Sequence, residues 1–250
     1  MSTWWHTSCF LASVAQEERK RKKMLVRDWM STKVIAIDVK ASMHDATKLM
    51  NENNIRMLPA MKKGKLVGLI TDGDLKRASA SDATALEVHE LSYFLSKIEV
   101  KDIMTKNPIT VPFDYTMEET AEVLLENKIS GVPVVNDRDQ VIGVITQTDL
   151  FKMMMSLTGL KKRGIKLAFH LQDKPGSIKE LTDVIRRFNG RMATILTSYD
   201  GVKAGYRKVY IRMYNINRSK LAQLIEELKE KGTLLYVVDF RENKREIYAL

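Results

Sequence analysis

Two short stretches concentrate the residue types that could do chemistry. Gly68-Leu69-Ile70-Thr71-Asp72-Gly73-Asp74-Leu75 returns as Gly143-Val144-Ile145-Thr146-Gln147-Thr148-Asp149-Leu150. In each, a short apolar strand runs straight into a helix, with threonine at the junction and aspartate three residues later. Two chemistries fit. The pair can be a capping box that only starts a helix. Alternatively, the open N–H groups and positive dipole end of the new helix suit a phosphate. The carboxylate beside them can accept two hydrogen bonds, as the paired hydroxyls of a ribose supply. Asp72 and Asp74 are close in sequence, yet acids at a helix start ordinarily serve the dipole. No nucleophile–base pair, metal set or cofactor loop accompanies them. His89-Glu90 begins like a metalloprotease helix, but the position of the second histidine holds Tyr93 or Phe94. The expectation is a protein without catalytic residues or metal ligands.

The elements that position these turns form a duplicated unit. At an offset of 74, Val26-Arg27-Asp28-Trp29-Met30 falls on Val100-Lys101-Asp102-Ile103-Met104. Val34-Ile35-Ala36-Ile37 falls on Pro108-Ile109-Thr110-Val111, and Asn53 to Pro59 falls on Asn127 to Pro133. One extra residue in Asn136-Asp137-Arg138-Asp139 then aligns Asp74 with Asp149 at an offset of 75. Two long copies indicate a duplicated domain rather than a solenoid. Each reads strand, helix, strand, strand, helix. Ser42/Asp45 and Thr116/Glu119 are capping boxes for the first helices, and Ala46, Leu49 and Met50 share one helical face.

These residues resemble tandem CBS domains, the pair called a Bateman module, over about Met24 to Ser156. The resemblance rests on two V-x-D-x-M openings, two I-x-x-h-P segments and two G-h-h-T-x-x-D-h ends, where h is apolar. It implies two clefts that in relatives often hold AMP, ADP, ATP or S-adenosylmethionine, as regulatory ligands and not as catalytic cofactors. Thr71, Asp74, Thr146 and Asp149 are then the ribose candidates. Lys76, Arg77 and Lys152 follow on the same helices and suit phosphate oxygens. Arg56 and Ser130 hold matching places before the second strands and join that set. The resemblance puts adenine near the first strand of a copy, which nominates Ile35, Ala36, Ile37, Ile109 and Thr110. For each of these apolar residues, plain core is the alternative.

The formal charge of +10 is unevenly placed. Residues 159–250 carry 20 basic and 10 acidic side chains, whereas residues 24–158 carry 16 and 19. A basic third invites nucleic acid. No helix-turn-helix, zinc spacing or aromatic-rich RNA platform motif accompanies it, so a solvated surface, or one meeting an acidic protein, is the expectation. No stretch of about 18 apolar residues exists to span a membrane. Cys9 is the only cysteine, which excludes an internal disulfide. A cytoplasmic protein is expected.

The fold class expected is α/β (α+β), with boundaries as follows. Residues 1–23, apolar and then charged, read as a leader outside the core; its Glu17–Lys23 tract raises the alternative that translation starts at Met24. The first CBS domain takes 24–80, and Ser79–Asp82 reads as a turn leading into the stretch between the repeats. An inter-repeat helix and linker take 81–99, and the second CBS domain 100–158. Residues 159–164 have the glycine spacing of a phosphate loop but lack its Lys-Ser/Thr, so they read as a linker. Residues 165–240 read βαββαβ, a ferredoxin-like order, with Ser177/Glu180 as a capping box and Asn217 as a second N-cap. Here the chain resembles an ACT domain through D-x-P-G-x-I. That nominates Asp173, Pro175, Gly176, Ser177 and Ile178 for an amino-acid effector, or else for a tight turn alone. Residues 241–250 read as a charged tail, frayed or packed on a partner. The order of CBS pair then ACT domain resembles the acetoin-utilisation (AcuB-type) proteins and their bacterial relatives. The resemblance implies a non-catalytic sensor that binds an adenine nucleotide, forms a homodimer and regulates an unknown protein target. A structural oligomerisation subunit with empty clefts is the alternative.

Overall fold

The computed structural model describes residues 23–82 and 97–248. Most of the leader and of the inter-repeat helix, with His89, lie outside the described residues. The chain divides into two compact units, Met1–Phe151 and Lys152–Leu250.

In the first unit, the first copy comprises α1 (Val26–Trp29), β1 (Ile37–Asp38), α2 (Met43–Asn53), β2 (Met57–Lys62), β3 (Lys65–Thr71) and α3 (Asp72–Asp82). The second comprises α4 (Val100–Ile103), β4 (Thr105–Lys106), β5 (Val111–Pro112), α5 (Met117–Glu126), β6 (Gly131–Val135), β7 (Val141–Thr146) and α6 (Gln147–Leu157). Both expected capping boxes form. The Ser42 hydroxyl accepts from the Asp45 N–H, the Thr116 hydroxyl from the Glu119 N–H, and each acid reaches back to the cap N–H. Those hydrogen bonds hold the Asp45 and Glu119 carboxyls below their ordinary range, the serine hydroxyl contributing most for Asp45 and the Thr116 backbone for Glu119. Helix α3 runs to Asp82, through the turn expected at Ser79–Asp82. Ser79 is accommodated inside the helix because its hydroxyl donates back to the Leu75 carbonyl (2.9 Å). The first strands are shorter than the sequence suggests: only Ile37 and Asp38 pair with β2, leaving Ile35 and Ala36 ahead of the strand.

The two copies exchange their openings. The N–H groups of Val26 and Arg27 donate to Tyr115 and Phe113 of the second copy (2.8 and 3.0 Å), and Ser31 bridges Val144 in β7. Reciprocally, Val100 and Lys101 donate to Ala41 and Val39 of the first copy (2.9 and 3.0 Å), and β4 adds a fourth strand beside β3 through Gly68↔Lys106. The glycine that begins each strand-to-helix motif now has a cause. A Cβ on Gly68 would run into Met104 Sδ, and one on Gly143 into Met30 Sδ. The methionine closing each V-x-D-x-M therefore packs flat on a bare backbone in the other copy. The copies also meet at Met57 and Gly131, which occupy equivalent places in the repeat.

The second unit takes in the last turns of α6 and then a single 3-10 turn at Leu160–Lys162, flanked by Gly159 and Arg163 at positive φ. It continues as β8 (Ile165–Gln172), α7 (Ser177–Arg187), β9 (Arg191–Ser198), β10 (Tyr206–Tyr214), α8 (Leu221–Lys229), β11 (Thr233–Asp239) and β12 (Lys244–Ile247). The sheet order is β12-β11-β8-β10-β9, every described pair antiparallel. Without β12 this is the ferredoxin-like arrangement expected from βαββαβ. The C-terminal segment departs from expectation: Lys244–Ile247 turns back through Asn243 (φ 52°) and pairs along β11. Ile165, Leu167, Phe169 and Leu171 alternate into a core completed by Leu181, Ile185, Leu224 and Leu228 from the helices. One sheet face is thus covered by helices.

Candidate functional site

Both strand-to-helix turns fold alike. At the first, Asp74 Oδ2 accepts from the Thr71 N–H (2.8 Å) and hydroxyl (2.6 Å). At the second, Asp149 Oδ2 accepts from the Thr146 N–H (3.1 Å) and hydroxyl (2.7 Å). The backbones just before β2 and β6 close the turns: the Asp72 N–H donates to Arg56 O (3.1 Å) and the Gln147 N–H to Ser130 O (2.9 Å). Arg56 and Ser130 therefore sit at equivalent corners, as their places in the repeat imply. Register brings the adenine candidates to the same end of the sheet. Ile37 pairs with Ala60 in parallel, while Met57 at the start of β2 faces Thr71, so the chain before Ile37 runs toward Thr71. Ile37 is buried, Ile35 and Thr110 are half-buried, and Ala36 and Ile109 are exposed.

The two acids differ in their surroundings. Asp74 is 7% exposed, and its other oxygen, Oδ1, is taken by the Arg77 guanidinium. Asp149 is half-buried. Asp74 thus satisfies the capping reading in full, while its Oδ1 is held by a side chain that is itself 76% exposed.

The proposed phosphate side chains do not converge. Arg56 and Lys76 line a cavity of about 680 Å³ between α2 and α3, with Thr47, Asn51, Asn54 and Asp72. Lys76 is paired with Asp72 one turn back on the same helix (3.2 Å). Thr71, Asp74 and Arg77 are not among its lining residues. The polar set Thr47, Asn51, Asn54 was missed in the sequence, although Thr47, Asn51 and Asn54 recur at helical spacing. Ser130 and Lys152 are exposed. Among the described residues no cluster of three or more His, Cys, Asp or Glu could hold a metal, and no helix is long and apolar enough to cross a membrane.

Two separate segments, residues 26–81 and 100–156, match the family model described as CBS domain. This part of the chain is a tandem CBS pair. It is 30% identical over 149 residues to an inosine-5'-monophosphate dehydrogenase of Korarchaeum cryptofilum, a match covering 58% of this chain and 27% of that enzyme. The chain thus spans about a quarter of that relative's length. A solved CBS domain pair in complex with 5'-methylthioadenosine and S-adenosyl-L-methionine is 33% identical, with 52% of this chain and 98% of that chain covered and a TM-score of 0.45. A protein from Vibrio cholerae assigned to acetoin utilization is 23% identical over 55% of this chain and 94% of its own, with a TM-score of 0.45. All three likenesses cover little more than half of the chain, the share the CBS pair occupies.

In the second unit, the D-x-P-G-x-I residues form a tight turn. Gly176, at φ 86°, is the N-cap of α7, a conformation that favours glycine. The capping box expected of Ser177 and Glu180 does not form. The left-handed glycine starts the helix one residue earlier, and the Glu180 N–H bonds the Gly176 carbonyl (3.0 Å). Ser177, 2% exposed, instead accepts from Arg207 Nη2 (3.1 Å), and Arg207 Nε lies 3.4 Å from Asp173 Oδ1. Asp173 and Pro175 are exposed and Ile178 is half-buried. Asn217 caps a 3-10 turn, Arg218–Lys220, ahead of α8, accepting from the Ser219 N–H (3.1 Å).

Proposed function

We propose that this protein is a non-catalytic regulator that takes an adenosine-containing ligand, AMP, ADP, ATP or S-adenosylmethionine, at the T-x-x-D turns of its CBS pair. The observation that carries this reading is the identical construction of the two turns. In both, the threonine ties down one carboxylate oxygen and so fixes the direction of the other. A ribose hydroxyl pair would donate to Oδ1 of Asp74 or Asp149, the helix N-terminus would meet the phosphate, and Ile35–Ile37 or Ile109–Thr110 would flank the base. Arg77 and Lys152, on the helices that the two turns open, would be the cations for phosphate. Arg56 and Lys76 would serve a longer phosphate chain or none. The C-terminal unit is read as an ACT-like module that dimerises the protein or takes a small effector at Asp173–Ile178. A homodimer in the cytoplasm, acting on a protein target, completes the reading.

The geometry around Asp74 favours a second reading, a structural subunit with empty clefts, because both oxygens of that acid are already satisfied within the fold. A thermal-shift series with AMP, ADP, ATP and S-adenosylmethionine separates the two. Ligand at 100 times its dissociation constant adds about 2.7 kcal/mol to stability; no response to any of the four leaves the structural reading.

A further inference from the structure

We propose that the face of the C-terminal sheet opposite α7 and α8 is a platform for single-stranded nucleic acid, on the part that Tyr206, Lys208, Tyr210 and Tyr236 leave accessible. Strand alternation separates the two faces. One is the helix-covered core; the other carries the residues in between. Across its centre Tyr236, Ala168 and Tyr210 lie abreast on β11, β8 and β10. In the adjoining rows His170 stands beside Lys208, and Lys166 beside Arg212. Tyr206 lies one step further along β10 and stacks on the His170 ring, with centroids 4.8 Å apart and planes 25° apart. On the paired positions of this face in β8–β12, not one residue is Asp or Glu.

Four features point to an anionic, aromatic occupant. Lys166 Nζ sits 5.4 Å from the Tyr210 ring centroid and 6.0 Å from that of Tyr236, so cations and rings share one surface. Burial, with the neighbouring Arg212 charge, pushes the Lys166 ammonium below its ordinary range. Arg212 is 3% exposed; its Nε donates to Thr158 O (2.6 Å) and its guanidinium lies 4.4 Å from the Phe240 ring, yet its Nη1 has no hydrogen-bond partner. Lys166, half-buried, and Arg212, almost wholly buried, are adjacent cations with no carboxylate at the paired positions around them. The nearest acid on this side is Asp200, held by Ser198 (3.3 Å) at the end of β9, and an anion at Lys166 relieves the repulsion. A second copy of this face would repel rather than pair. An acidic protein would use the charges but not the rings. The His170–Tyr206 stack at one end of β8 and β10, with His170 half-buried and Tyr206 38% exposed, offers the outer face of the Tyr206 ring as a flat surface that a base extends. Bases stacked on a sheet with cations tracking the phosphates is how βαββαβ platforms hold single strands. The expectation against nucleic acid rested on the lack of a platform motif; here the platform is assembled from three strands.

The test is fluorescence anisotropy of the full chain with a labelled ten-nucleotide single strand, as RNA and as DNA, across a salt series. Three to four phosphate contacts give a slope of log K against log salt of about −2 to −3. Tyr206→Ala should weaken binding by about tenfold, since one stacked base carries that much, while Tyr206→Trp should retain it and shows that the site still folds. Lys208→Gln should cut the slope by about 0.7, and Lys231→Gln, off this face, should change neither. The proposal is overturned if no single strand binds at low salt, if a duplex of the same sequence binds equally, or if polyglutamate competes as well as the oligonucleotide. It is equally overturned if Tyr206→Ala binds as the wild type does.

Discussion

Asp74 is where the capping and ligand-binding roles can be pulled apart. Replacing it with alanine removes the acceptor of the Thr71 N–H and hydroxyl, bonds of 2.8 and 2.6 Å. Loss of such a cap costs about 0.5–2 kcal/mol. The pair with Arg77 adds at most a few tenths, because the arginine side chain is 76% exposed and its charge is screened. The expected destabilisation is therefore about 1.5 kcal/mol for Asp74→Ala. Asp74→Asn keeps an acceptor for Thr71 and gives up only the charge beside the helix dipole, about 0.5 kcal/mol. A ribose bonded to Oδ1 reads the two variants differently. Hydrogen bonds to a charged group are worth about 1.5–3 kcal/mol, so both should weaken nucleotide binding by roughly tenfold to a hundredfold despite their unequal stabilities. The assay is urea unfolding for stability, plus thermal shift with saturating nucleotide, each in an Asp149→Asn background so that one cleft is read at a time. A ligand increment of about 2.7 kcal/mol corresponds to a shift of roughly 5–10 °C for a chain of this size. If Asp74→Asn shows the full wild-type shift, the acid is a helix cap and nothing more.

Two further outcomes follow from the fold. Gly68→Ala should destabilise the CBS pair by about 1–3 kcal/mol, because the added methyl displaces Met104. Adding Met104→Ala should restore part of that loss, and strictly additive effects in urea unfolding would contradict the contact. The Asp45 and Glu119 carboxyls titrate below their ordinary range, so the stability they lend is present above the unfolded-state values and is lost as pH falls through the folded ones. Thermal melts from pH 6 down to pH 3 should therefore show a smaller decline for Asp45→Asn plus Glu119→Gln than for the wild type.

Much of this was legible in the residues. Period-2 and period-3.6 patterns located β8 to β11 and α2, and Ser42/Asp45 and Thr116/Glu119 announced their helices because capping needs only local chemistry. What escaped was long-range. Nothing local in Val26–Met30 says that it belongs against Tyr115 and Val144; the trace it leaves is a glycine, 113 residues away, with room for a methionine. Ser177 misled because a left-handed Gly176 moves the helix start by one residue. At the site, spacing showed that Thr71 and Asp74 meet but not that Arg77 would join them while Arg56 and Lys76 turn to another cavity. The charged segment after Phe240 hid a strand because its alternation spans only four residues, too few for periodicity to register.

The exchanged openings bear on how such a chain could have arisen. One copy cut from the gene would encode a sheet lacking its outer strand and a glycine-floored groove with no methionine to fill it. An ancestor carrying a single copy could complete its sheet by swapping that arm with a twin molecule. Joining two such genes end to end would have turned a dependence between neighbours into one within a single polypeptide, leaving each copy free to drift in what it accepts while its sheet still leans on the other.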